Sequence, residues 1–129
     1  MSQENVEIVR RLIRAFKERD DQGIASMLAP DAEFESLTLQ TYRGTAGLAE
    51  YRRNLDEAWA EWRLEADRFI PAGSELVVHL HRVRGRGRGS DVAIEQDIAI
   101  VWTLRTGHVT RGKAFLSQAD ALKVAGLAE

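Results

Sequence analysis

The sequence predicts an α+β fold, with helices packed on one face of an antiparallel sheet. Helical periodicity is confined to the N-terminal half and the extreme C-terminus, and between them strand-like segments follow one another through short turns. Nowhere do strands and helices alternate as βαβ units, which argues against a doubly wound parallel sheet.

Each element has its own signal. Val6, Val9, Ile13 and Phe16 recur on one helical face, and Ile8 and Leu12 widen it. Ser2 is placed to cap this first helix. Its acids (Glu4, Glu7) lie early and its bases (Arg10, Arg11, Arg14, Lys17, Arg19) late, as the helix dipole favours. Asp20 and Asp21 open a short second helix through Leu28, which Pro30 stops. Residues 32–39 alternate as a strand. The turn at Tyr42, Arg43 and Gly44 leads to a third helix capped by Thr45, with an apolar stripe of Leu48, Tyr51, Leu55, Trp59 and Trp62. Strands are expected at residues 64–70 and 75–84, joined by the turn at Pro71, Ala72, Gly73 and Ser74. The longest strand spans residues 92–105, and Thr106, Gly107 and His108 form a tight hairpin into residues 109–115. Residues 120–127 read as a terminal helical turn or short helix.

Composition bounds the function. At 129 residues the chain suits one domain, residues 1–129, with enough length to bury roughly two-thirds of its unfolded surface. There is no cysteine, so disulfides, thiolate zinc sites and a Cys nucleophile are excluded. A net charge of −2 gives no overall attraction for nucleic acid. The longest apolar run, residues 98–102, falls far short of the ~20 residues that span a bilayer, so no membrane partner is expected. The first ten residues hold two glutamates and no apolar stretch, so no secretion signal is expected and the location implied is cytoplasmic.

Several segments in order carry a family resemblance. They are the run from Asn5 to Arg11 leading to Ala15 and Phe16, then residues 28–34 (LAPDAEF), Tyr42-Arg43-Gly44, residues 101–105 (VWTLR), Gly107-His108-Val109 and residues 121–127 (ALKVAGL). This pattern resembles the SnoaL-like branch of the nuclear transport factor 2-like superfamily, which includes ketosteroid isomerases and polyketide cyclases. The resemblance implies a cone: a strongly curved antiparallel sheet wrapped against three N-terminal helices, as in cystatin-like α+β barrels, with a deep pocket between them. It also implies a homodimer formed through the outer sheet face.

The resemblance allows a test for one activity. Ketosteroid isomerases use a carboxylate base, a tyrosine and a protonated aspartate. The matching positions here are Ser36, Leu12 and Ile100, none of which supplies the needed group, so the sequence argues against that mechanism and no catalytic residue is assigned. The same comparison turns Phe34, Tyr51, Trp59, Ile98, Ile100, Trp102 and Phe115 toward the interior, with Arg82, Gln96, Arg111 and Tyr42 as polar candidates. Arg111 either meets a ligand carboxylate or enolate, or pairs with a protein carboxylate. Aromatic residues either line an open pocket or fill it.

Other constellations have competing readings. His79 and His81 share a strand face and so suggest a metal site, but parity with Leu80 and Arg82 places them on the outer surface, and no metal is expected. Glu95 and Asp97 form either an acid–base pair or cross-strand ion pairs on the outer face, the latter favoured. The Arg-Gly stretch from Arg82 to Gly89 lacks interleaved aromatics and reads as a solvated hairpin end rather than a nucleic-acid segment. The function implied is binding of a hydrophobic small molecule, polyketide- or terpenoid-like, in an apolar pocket. With no cofactor expected, the protein is a cofactor-independent isomerase, cyclase or hydrolase, or else a non-catalytic ligand-binding or dimerisation module. An epoxide-hydrolase chemistry would need a carboxylate–Arg–carboxylate group that the sequence does not place.

Overall fold

The computed structural model describes residues 2–90 and 92–127, with Ser2 by its backbone alone, so the Ser2 cap lies outside what is described. The elements are α1 (Ser2–Glu18), α2 (Asp21–Met27), β1 (Leu28–Glu35), β2 (Thr41–Arg43), α3 (Gly44–Ala58), β3 (Trp59–Ala72), β4 (Leu76–Gly87), β5 (Ala93–Arg105), β6 (His108–Phe115) and α4 (Gln118–Val124). The strands form one curved, unclosed sheet in the order β2-β1-β6-β5-β4-β3. Every neighbouring pair is antiparallel except β1 and β6, which run parallel. Short turns force antiparallel pairing on β3 to β6, whereas β1 meets β6 across most of the chain and is free of that constraint.

The helices follow the apolar pattern. α1 buries Val6, Val9, Leu12, Ile13 and Phe16 against the sheet. Asp20 caps α2 by accepting a hydrogen bond from the Gly23 N–H. Pro30 does not stop α2; the chain is already extended at Leu28, and β1 starts four residues before the expected Ala32. Pro30 fits there because the β1–β6 ladder is irregular between Leu28 and Glu33, where a missing N–H costs nothing. β1 also ends early, at Glu35, because the Leu39 N–H closes a turn onto the Ser36 carbonyl.

Two further expectations are corrected at α3. It begins at Gly44 with Arg43 at the cap position and no side-chain cap, so Thr45 lies inside the first turn. It ends at Ala58, and Trp59 and Trp62 belong to β3, not to a helical stripe. Arg88 helps end the helix there, donating to the carbonyls of Asp56, Glu57 and Trp59.

β3 carries two bulges that decide what faces inward. Trp59 pairs with Gly87 and Trp62 with Gly85, so one extra residue between them turns both indoles to the same face. A second bulge lies between Glu65 and Arg68, with Ala66 at φ +57, and it turns Asp67 toward His79. The outer face of the sheet is not bare: Val78, Leu80, Ala99 and Val101 pack under Ala121 of α4 and are buried within one chain.

Candidate functional site

Between α1, α3 and the inner sheet face lies a cavity of about 350 Å³. Phe34 from β1, Tyr51 from α3, Trp59 and Trp62 from β3, and Ile98, Ile100 and Trp102 from β5 border it. The rings interlock: Phe34 stacks on Trp102 with centroids 5.8 Å apart, and Tyr51 tilts against Phe34 at 5.0 Å. Gly112 of β6 makes room for this arrangement, since a Cβ there would sit 2.4 Å from Trp102 Cζ3. The aromatics therefore line the space without filling it. Exposed Ile94, Gln96 and Leu116 border the outer end.

Of the residues the sequence placed in the pocket, Phe34, Tyr51, Trp59, Gln96, Ile98, Ile100 and Trp102 all border the cavity. Arg82, Arg111 and Phe115 do not: they lie on the opposite face. On β6, Gly112 and Ala114 face inward, so Arg111 and Phe115 face outward, and Phe115 packs with the cluster under α4. Tyr42 is buried beside the cavity, accepting a hydrogen bond from Asn54. Leu12 and Ile100, at two of the isomerase positions, border the cavity, and Ser36 Oγ shares a 2.9 Å hydrogen bond with Thr38 Oγ1.

The charged ladder is an outer-face structure. Arg82 meets Glu95 at 3.3 Å and Asp97 at 3.0 Å, Arg84 meets Glu65 and Glu95, and Arg86 meets Glu61. Glu95 and Asp97 are thus cross-strand partners of arginines, and the Arg-Gly stretch is largely the end of β4 with its guanidiniums engaged, not a solvated hairpin tip.

The histidines overturn the expected parity of β4. His79 is 0% exposed and His81 is 4% exposed, and both face inward. The His79 ring Nε2 lies 2.8 Å from Asp67 Oδ1, and Lys17 donates to Asp67 Oδ2. His79 stacks between Phe69 (4.7 Å) and His81 (4.2 Å), and the Arg10 guanidinium covers Phe69 at 4.9 Å. His81, at the end of this stack, borders the cavity. Burial holds the His81 imidazole neutral, with its pKa pulled down to about 3, and His79 adds to the shift. The hydrogen bond from His79 holds the Asp67 carboxyl below the usual carboxylate range. Burial pushes the Tyr51 phenol up to about 12, so it stays protonated. Among the described residues the cavity lining contains no Lys, Arg, Asp or Glu.

This cluster had a sequence signal. Arginines at positions 82, 84 and 86 mark one face of β4 as the wet one, and strict alternation then turns His79 and His81 inward. Asp67 had none, because a bulge at Ala66 sets its direction.

Among curated proteins none matches the sequence. An NTF2-like protein from Burkholderia xenovorans is 26% identical, with a TM-score of 0.77 and 97% of each chain covered. TerC, solved with polyporic acid, is 24% identical, with a TM-score of 0.75 over 95% of this chain and 98% of that one. A proposed polyketide cyclase from Xanthomonas campestris is 14% identical, with a TM-score of 0.77 over 95% and 97%. The sequence also matches the SnoaL-like domain over residues 9–112, most of its length, and so the chain belongs to the SnoaL-like domain family.

Proposed function

We propose that the protein binds a hydrophobic, ring-containing small molecule in the cavity between α1, α3 and the sheet. The observation that carries this reading is a space of about 350 Å³ walled by aliphatic and aromatic side chains, with Gly112 leaving room for the Trp102 ring in that wall. That volume lies at the small end of the range for small-molecule sites. The proposed polyketide cyclase and the TerC complex with polyporic acid among the structural neighbours support a ring-containing ligand. Among the described residues the lining supplies no carboxylate, so an isomerase or cyclase reaction here would run without a carboxylate base from them, through His81 or Tyr51. A purely ligand-binding role is the reading this favours. The homodimer belongs to the same proposal, with α4 now part of the outer surface, where Val124 is 63% exposed. A monomer in sedimentation at micromolar concentration counts against it.

Thermal unfolding with a panel of neutral polycyclic compounds tests the binding role. A ligand at tenfold its Kd adds about 1.4 kcal/mol and raises Tm by about 5 °C. Ala114→Phe, which puts a ring into the cavity, should abolish the shift. Equal shifts in both proteins would place binding elsewhere.

A further inference from the structure

Resting on that reading of the cavity, we propose that His81 is its recognition group: a neutral ligand is held by a hydrogen bond between one hydroxyl or carbonyl oxygen and the His81 imidazole, and ligands carrying a full charge are turned away. Four observations converge on this residue. His81 is nine-tenths or more buried yet borders the cavity. Its ring makes no side-chain hydrogen bond among the described residues, and because Nδ1 is closed off, Nε2 is the nitrogen left for a ligand oxygen to meet. Its orientation is fixed by the stack through His79 and Phe69 to Arg10, and His79 is in turn held by Asp67 and Lys17. It also lies inside the mouth: His81 pairs with Ile98, four residues along β5 from Ile94 at the rim, or roughly 13 Å.

A neutral imidazole carries its proton on either ring nitrogen, so Nε2 accepts from a ligand hydroxyl in one tautomer and donates to a carbonyl in the other. Charge rejection follows from the rest of the lining. With no Lys, Arg, Asp or Glu described there, a carboxylate or ammonium would lose its hydration and meet no countercharge. Asp67 and His79 do not touch the cavity oxygen in this scheme; they are positioning residues that keep His81 in place.

The test compares naphthalene, 2-naphthol and 2-naphthoate by calorimetry at neutral pH on the wild-type protein, His81→Phe and His81→Gln. The wild type should bind 2-naphthol about three- to tenfold more tightly than naphthalene, the worth of one net hydrogen bond. It should bind 2-naphthoate at least tenfold more weakly than 2-naphthol. His81→Phe should keep naphthalene affinity and lose the preference for the hydroxyl; His81→Gln should recover part of it. Nitrogen-detected NMR of the unmodified protein does not depend on a variant folding: 2-naphthol should move the His81 ring resonances and naphthalene should leave them nearly in place. Naphthoate binding as tight as naphthol, an unchanged preference in His81→Phe, or unmoved His81 nitrogens overturns the proposal while the cavity reading stands. If none of the three compounds binds the wild type, the cavity reading fails and this proposal with it.

Discussion

Replacing Gly112 by alanine probes whether the cavity wall is packed as described. The new Cβ would lie 2.4 Å from Trp102 Cζ3, 2.6 Å from Trp102 Cε3 and 3.1 Å from Phe34 Cδ1. Ordinary contact begins near 3.4 Å, so the indole must retreat by about 1 Å. It has little room, being 4% exposed and stacked on Phe34. Overpacking of this kind costs roughly 1–3 kcal/mol, and the lower backbone entropy of alanine in a strand returns about 0.5 kcal/mol or more. The net expectation is a loss of about 2 kcal/mol, read in urea as a midpoint lower by about 1 M at unchanged slope. Trp102→Phe removes the six-membered ring that the methyl meets, so the double variant should be less damaged than the sum of the two single variants by about 1 kcal/mol or more. A Gly112→Ala protein within about 0.5 kcal/mol of wild type, or strictly additive effects, would refute the packing argument.

The folded pKa of His81 lies near 3, below the ordinary 6.5, so its contribution is fully present above about pH 6.5 and is lost as pH falls toward 3. His79, lowered chiefly by burial, acts in the same sense and range, with Lys17 and Arg10 as the neighbouring fixed cations, whereas Asp67, lowered chiefly by its hydrogen bond from His79, adds to the loss only below the ordinary carboxylate value of 3.8. Stability from urea unfolding should therefore decline between pH 7 and 5, by up to about 1.4 kcal/mol per pH unit for His81, and His81→Gln should flatten part of that slope. A flat profile contradicts the buried histidines. Arg111→Ala, on the face away from the cavity, should leave 2-naphthol affinity within about twofold, whereas a tenfold loss would mean that β6 is turned the other way. Ala66→Gly should raise stability by about 0.5–1 kcal/mol, because a non-glycine residue at φ +57 is strained, and a destabilised variant would argue against that bulge.

The parts of the molecule legible in the sequence are those fixed by local pattern. The stripe of Val6, Val9, Ile13 and Phe16 specifies α1, and the even-numbered apolar face of β5 gives Ile98, Ile100 and Trp102 their inward direction. Alternation does not carry across the bulges of β3 or from one strand to the next. Trp59 and Trp62 are spaced as a helical stripe, yet an extra residue in a strand brings them to the same face. On β4 the apolar Leu80 suggests an inward direction, but α4 covers it from outside, and the histidines take the interior. Long-range partners such as Asp67 with His79 and Lys17 leave no local trace, since a lone aspartate in a strand has no signature until its bulge is known.

The central claim is that the cavity is open to a neutral apolar molecule, and the tryptophans report on it directly. All three in the chain, Trp59, Trp62 and Trp102, border the space. Titration with 1-nitronaphthalene, a neutral non-fluorescent acceptor of indole emission, should give saturable quenching of most of the tryptophan signal in the wild type and only weak, non-saturating quenching in Ala114→Phe. Non-saturating quenching of the wild type, or identical curves for the two proteins, would contradict an accessible binding cavity.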